Sequence, residues 1–298
     1  MTLYTHKASN IRRTWFLMFV FLVLIIGVGY IFSYALESPA ILYVAVFISI
    51  FMSFSSYWFS DKIVTKLAKA KEVKFEENKE LYRILENLSI TAGLPMPKLY
   101  LVEESQPNAF ATGRNQKHAV VAVTTGLLEK LDRSELEGVL AHELSHIGNK
   151  DMLLMTVAVV LAGTIALASD LFIRMRWFRG RKKSGNSQVQ LIMMAIALAA
   201  AILAPVAASL IRMGISRKRE FLADATGALI TRYPEGLARA LEKISTDQNE
   251  MKSAKNATAH LYIANPFRGK QKKSFTSRLF MTHPPTEERI ARLRSQKI

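Results

Sequence analysis

Residues 140–151 read LAHELSHIGNKD, and the HELSH pentad within them decides how the remaining sequence is read. Side chains four residues apart on a helix stand on one face, one turn apart. His142 and His146 would therefore offer two imidazoles to a single Zn2+, with Glu143 beside them to take a proton from water. Ser134 followed by Glu137 fits a capping box and predicts a helix that starts there and runs into the pentad. A polar helix carrying two solvated histidines is the competing reading. The chain has no cysteine, which excludes disulfides, Cys-ligated zinc, iron–sulfur clusters and thiol catalysis. A metal here has only His and carboxylates to bind.

An extended zinc motif with a third histidine would need Gly at 149 and His at 152, where the chain has Asn149 and Met152. The metzincin pattern therefore fails. Downstream, SRKREFLADATG at 216–227 offers Glu220 as an oxygen ligand, with Asp224 one helical turn further on and facing the same way. A carboxylate at 224 could orient a ligating imidazole through its second nitrogen. Taken alone, EFLAD also fits an ordinary amphipathic helix with Lys218 or Arg219 as ion-pair partner.

The chain has 298 residues, half of them hydrophobic, with a net charge of +16 and a mean hydropathy of +0.14. Greasy and cationic blocks must therefore be segregated. Residues 14–36 and 38–60 contain no Lys or Arg, and each is long enough to cross a bilayer, which needs roughly 20 apolar residues. They predict a hairpin over residues 1–61 with its turn at Glu37 to Pro39, too long and too soon repeated to be a signal peptide. Lys7, Arg12 and Arg13 precede it and Lys62, Lys66, Lys69, Lys71 and Lys74 follow it, which puts both ends in the cytoplasm. A second apolar pair, 152–169 and 191–211, is joined by Arg174, Arg176, Arg179, Arg181, Lys182 and Lys183. Those cations oppose export, so this pair either crosses fully or is a buried or half-inserted helical hairpin.

Residues 62–151 and 212–298 then form the two parts of a catalytic domain. HELSH just precedes the third apolar block and Glu220 just follows the fourth, so the site must lie near the bilayer surface. Leu81, Ile84, Leu85 and Leu88 give residues 76–93 a helical stripe that Gly93 to Pro97 ends. Residues 98–103 and 118–124 read as strands, with a third at 108–112.

HELSH, EFLAD beyond an apolar hairpin, NAFATG at 108–113, THPPTEERI at 282–290 and the N-terminal hairpin together resemble the HtpX family of bacterial heat-shock membrane metallopeptidases. That family is related to the CAAX prenyl protease of eukaryotic membranes. The resemblance covers nearly the whole chain, with the motifs in order. It implies a mainly α membrane protein: transmembrane helices plus a cytoplasmic gluzincin-like zinc protease domain with a small β-sheet. It further implies one Zn2+ on His142, His146 and Glu220, Glu143 as the catalytic carboxylate, and quality control of misfolded membrane proteins at a bacterial inner membrane. In the same pattern Asn108, Ala109, Phe110 and Ala111 match a substrate-binding edge strand, which would be exposed, and His283 and Arg289 match positions that stabilise the tetrahedral oxyanion. Read without the family, NAFATG is also a turn after Pro107, and His283 the start of a helix before Pro284 and Pro285. Nine Lys or Arg between 268 and 298 favour anionic lipid, and no nucleic-acid module accompanies the charge. A prenyl-peptide processing protease and a non-catalytic membrane scaffold are the alternatives. Four apolar blocks are few for the first, and Glu143 is superfluous in the second.

Overall fold

The computed structural model of the chain describes residues 3–35, 37–161, 163, 165, 217–252, 259, 261–267 and 284–296. Two long helices, α1 (Leu3–Ala35) and α2 (Ala40–Trp58), lie side by side, joined by a turn in which Glu37 takes a positive φ of 49°. Both are long and apolar enough to cross a membrane, over Ala8–Tyr34 and Ala40–Trp58. Their outer faces expose Phe16, Phe19, Tyr34, Tyr43, Phe47 and Phe51, as lipid-facing helices do.

A short helix, α3 (Ser60–Leu67), leads from α2 into a four-stranded mixed sheet. Its strands are β1 (Lys71–Glu72), β2 (Lys98–Val102), β3 (Ala109–Gly113) and β4 (Ala119–Thr124), in the order β1-β2-β4-β3. β2 runs parallel to β4, and β3 folds back antiparallel on β4 with Ala111 opposite Val121. The three longer strands fall where the sequence predicts them; the two-residue β1 carries no readable pattern. Between β1 and β2, α4 (Lys79–Thr91) is capped by Asn78, whose side chain accepts from the Leu81 N–H at 3.0 Å, and it buries Leu81, Ile84, Leu85 and Leu88.

After the short α5 (Thr125–Lys130) comes α6 (Arg133–Gly148), which carries HELSH. Its capping box is Asp132 with Glu135, a correction to the expected Ser134 and Glu137. Asp132 accepts from the Glu135 N–H at 3.0 Å and Glu135 accepts from the Asp132 N–H at 2.9 Å. The helix thus starts two residues earlier, and Ser134 only donates to Asp132 while Glu137 pairs with Arg133. From Gly138 to Ile147, α6 is buried on all sides between the sheet, α4, α8 (Arg217–Thr231) and α9 (Pro234–Thr246). Two glycines permit that crowding. A Cβ on Gly138 would stand 2.6 Å from the Leu237 nitrogen, and one on Gly227 would stand 3.0 Å from that of His142. Larger residues there would push α9 and α8 off the helix.

At Asn149 and Lys150, the latter with φ of 58°, the chain bends by 84° into α7 (Asp151–Leu161). α7 packs Leu153, Leu154, Val157, Ala158 and Leu161 against Leu17 and Phe21 of α1. Of the apolar pair 152–211, only α7 and residues 163 and 165 are described, so the question of full crossing lies outside the described residues. The last element, α10 (Thr286–Ser295), buries Arg289 and Leu293. Residues on both sides of the second apolar pair, from Val73 through Leu144 to Leu237 and Leu293, share one hydrophobic core.

Candidate metal centre and peptidase site

Two helices bring three side chains to one buried point. α6 supplies His142 and His146 on one face, and α8 lays Glu220 across them, close enough because Gly227 lets α8 touch α6. The Nε2 atoms of His142 and His146 lie 3.2 Å apart. The Glu220 oxygens lie 3.6 Å from His146 Nε2 and 3.9 Å from His142 Nε2. One atom from each of the three residues falls within 4.8 Å of the others, and all three side chains are buried. Tetrahedral ligands at about 2.0–2.1 Å from a zinc ion sit about 3.3 Å from each other, so this spacing fits.

The outer ring nitrogens explain why the inner ones converge. His142 Nδ1 lies 3.0 Å from Asp224 Oδ1, and His146 Nδ1 lies 3.3 Å from Asp151 Oδ2. Carboxylates accept only, so each Nδ1 is the protonated nitrogen and each Nε2 turns a lone pair inward. Two lone pairs facing one another beside a carboxylate form a site that could hold a cation.

Charge points the same way. Glu143, Glu220, Asp224 and Asp151 are buried here against the guanidinium groups of Arg289 and Arg219. Burial disfavours a charged His146, yet the hydrogen bond to Asp151 and the charge of Glu220 push it up to about 9. His142 goes the other way: burial lowers it to about 4 against the pull of Asp224. Burial raises Glu143 to about 7, with His146 opposing and Glu220 reinforcing. For Asp224, burial is outweighed by Arg289, whose charge holds it near 2. The acids around His146 thus favour positive charge at this point, which a divalent ion would supply.

Glu143 is buried beside the histidines without joining the triad and accepts from the backbone N–H of Ala111. Arg289 is also buried, and its fork is engaged. Nε donates to Asp224 Oδ2 at 2.9 Å, one terminal nitrogen to Asp224 Oδ1 at 2.6 Å and the other to the Ile263 carbonyl at 3.4 Å. The same guanidinium also lies 3.4 Å from His142 Nε2 and 3.9 Å from Glu220 Oε2, so it borders the ligand atoms as well as Asp224. His283 lies outside the described residues.

β3 is the end strand of the sheet, but Asn108, Ala109, Phe110 and Ala111 are all buried, which corrects the expectation of an exposed edge. Residues 261–264 cover its first half. Ile263 N–H donates to the Ala109 carbonyl at 2.9 Å, the Asn108 amide bonds both backbone groups of Ala264 at 3.0 and 3.1 Å, and Tyr262 meets Phe110 edge-on at 5.2 Å. At Ala111 the outer edge faces Glu143. Sequence reasoning missed Asp151, although it closes the quoted stretch LAHELSHIGNKD, because it is five residues from His146 and off helical register.

Residues 76–297 match the model of peptidase family M48. The chain belongs to that family. It is 45% identical over its full length to a protease HtpX homolog of Caldanaerobacter subterraneus, covering 99% of that protein, and 48% identical to one of Pyrococcus furiosus over 95% of this chain and 94% of that one. The peptidase also superposes on the crystal structure of Ste24p from S. mikatae with a TM-score of 0.51 at 18% identity, over 97% of this chain and 67% of that one. The fold is accordingly that of a Ste24p-like membrane metalloprotease, mainly helical with a small mixed sheet. The expected fold class and the metallopeptidase assignment both stand.

Proposed function

We propose that this membrane metallopeptidase is a zinc endopeptidase that cleaves misfolded or damaged membrane proteins at the cytoplasmic face of a bacterial inner membrane. One observation carries the reading: two Nε2 lone pairs and the Glu220 carboxylate converge in a buried site while Asp224 and Asp151 hold the opposite ring nitrogens. Two imidazoles and one carboxylate, with a coordination position left over, are a donor set suited to catalytic zinc. When bound, zinc makes water a nucleophile near neutral pH and polarises the scissile carbonyl.

The protein's own groups do the rest. Glu143 takes the proton of the attacking water on a carboxylate oxygen and returns it to the leaving amine, held in place by the Ala111 N–H. Asp224 and Asp151 keep His142 and His146 in the tautomer that turns Nε2 inward. Arg289 braces Asp224 and, with His283, remains the group proposed to stabilise the oxyanion, since its guanidinium also borders His142 Nε2 and Glu220. The outer edge of β3 beyond the Ala111 N–H is the line along which an extended substrate would add by backbone hydrogen bonds. β3 ends beside the membrane: the Arg114 guanidinium lies over the Trp58 ring at 4.6 Å and donates to its carbonyl at 3.1 Å. A segment leaving the bilayer next to α2 would meet β3 first. The basic run from Lys62 to Lys74 would hold that face to anionic lipid by roughly 1 kcal/mol per charge.

The substrate class is tested in proteoliposomes with a membrane protein in folded and destabilised forms. Faster cleavage of the destabilised form is expected; a preference for prenylated peptide over both would favour the processing-protease alternative. Orientation is tested through the absence of cysteine. Glu37→Cys, in the exposed turn, should react with an impermeant thiol reagent on intact cells, and Lys71→Cys only after permeabilisation. The reverse pattern would put the active site outside.

Two substitutions probe the supporting contacts. Asp224→Asn weakens the hold on His142 Nδ1 and should lower zinc affinity or activity about 10–100-fold, as measured by chelator competition. Unchanged affinity and turnover would remove Asp224 from the site. Ala111→Pro deletes the N–H that reaches Glu143 and should cut proteolysis about 10–100-fold with zinc retained, the worth of one hydrogen bond to a charge. Unaltered cleavage by the folded variant would dissociate β3 from the reaction.

A further inference from the structure

We infer that Asn10, on the first membrane helix, positions the metal ligand His146 through Asp151, so that the N-terminal hairpin supports the metal centre as well as anchoring it. This rests on the zinc reading proposed above.

Along α1, Asn10, Thr14, Leu17 and Phe21 form one buried stripe, spaced as a packed helix face is. Its apolar half lies on α7. Its polar head meets the N-terminus of α7, where Asp151 stands just after the 84° bend. Asn10 Nδ2 donates to Asp151 Oδ1 at 2.6 Å and to the Asn149 carbonyl at 3.3 Å, and its Oδ1 accepts from Arg219 at 3.4 Å. Both faces of the amide are therefore used. The other oxygen of Asp151 is the one at His146 Nδ1, 3.3 Å away.

A buried amide is costly unless it is paired, and the shortest bond of this one goes to Asp151, the residue that holds His146. Its effect follows from competition. Arg219 Nε lies 3.9 Å from Asp151 Oδ1, the same oxygen that Asn10 holds. While Asn10 occupies that oxygen at 2.6 Å, Asp151 keeps Oδ2 on the histidine. Without Asn10, the carboxylate is free to turn toward the guanidinium, and His146 loses the partner that fixes its tautomer.

The test is zinc affinity of the full-length chain in detergent, by chelator competition, which does not depend on turnover. Asn10→Ala removes the donor, and Asn10→Asp sets a carboxylate against Asp151. Both should weaken zinc binding about tenfold or more, the range seen when support of a ligand is lost. In an Asp151→Asn background, Asn10→Ala should add little further loss, because the two act in series. Leu17→Ala loosens the same α1–α7 contact without touching the polar chain; it should lower Tm and leave affinity unchanged. Wild-type affinity in folded Asn10→Asp, or an equal loss in Leu17→Ala, would overturn the inference. Failure of the wild type to bind zinc would instead bring down the metal reading, and this inference with it.

Discussion

Glu143→Gln is expected to keep its zinc and lose peptide hydrolysis by about 10²–10⁴-fold, the usual worth of a positioned general base. Glu143 is buried next to His142 and His146 but, among the described residues, belongs to no group of converging ligand atoms, so removing its charge leaves the metal donors intact. Glutamine has nearly the same shape, and its amide oxygen can still accept from the Ala111 N–H. What it lacks is a basic oxygen to carry the water's proton to the leaving amine. Metal content and kcat on a casein-type substrate, measured on one preparation, separate the two roles. Turnover within tenfold of wild type at full zinc occupancy would remove Glu143 as the base. Loss of zinc together with activity would make it a ligand.

The periodic parts of the molecule were legible in the sequence because they depend on neighbours along the chain. Four-residue spacing placed His142 and His146 on one face, uncharged length marked α1 and α2, and β-branched runs marked the longer strands. Local rules failed where two of them overlapped. In LDRSELEG both Asp132–Glu135 and Ser134–Glu137 satisfy the capping pattern, and only the folded helix selects the earlier pair. Features made outside helical and strand periodicity left no pattern. Asp151 reaches His146 only because Lys150 adopts a left-handed conformation and the chain turns sharply, which helical periodicity cannot register. The covering of β3 by residues 261–264 joins segments about 150 residues apart, and nothing in NAFATG announces it. Arg289 carried a readable charge, but its pairing with Asp224 appears only once α10 docks.

Glu220→Ala should cost more zinc affinity than Asp224→Asn, although the two residues are four apart on the same helix and both are buried. Their surroundings differ in kind. Asp224 is bound by both prongs of Arg289 and by His142 Nδ1, so its oxygens are committed to donors and poorly placed to ligate. Glu220 is 3.9 Å from Arg289 and presents its oxygens to the two Nε2 atoms. A protein zinc site shares about 10–16 kcal/mol among three or four ligands, so deleting one should weaken binding on the order of 10²–10³-fold, against about 10–100-fold for a lost support. His146→Ala should match Glu220→Ala, and each should abolish proteolysis at zinc concentrations that saturate the wild type. Restoration of activity at high zinc would be compatible with Asp224→Asn but not with either ligand deletion, since two remaining donors leave the ion without a fixed geometry. If chelator competition ranks Asp224→Asn as the weaker binder, the oxygen ligand would have to be reassigned from Glu220 to Asp224, and Arg289 would then have to release it when metal enters.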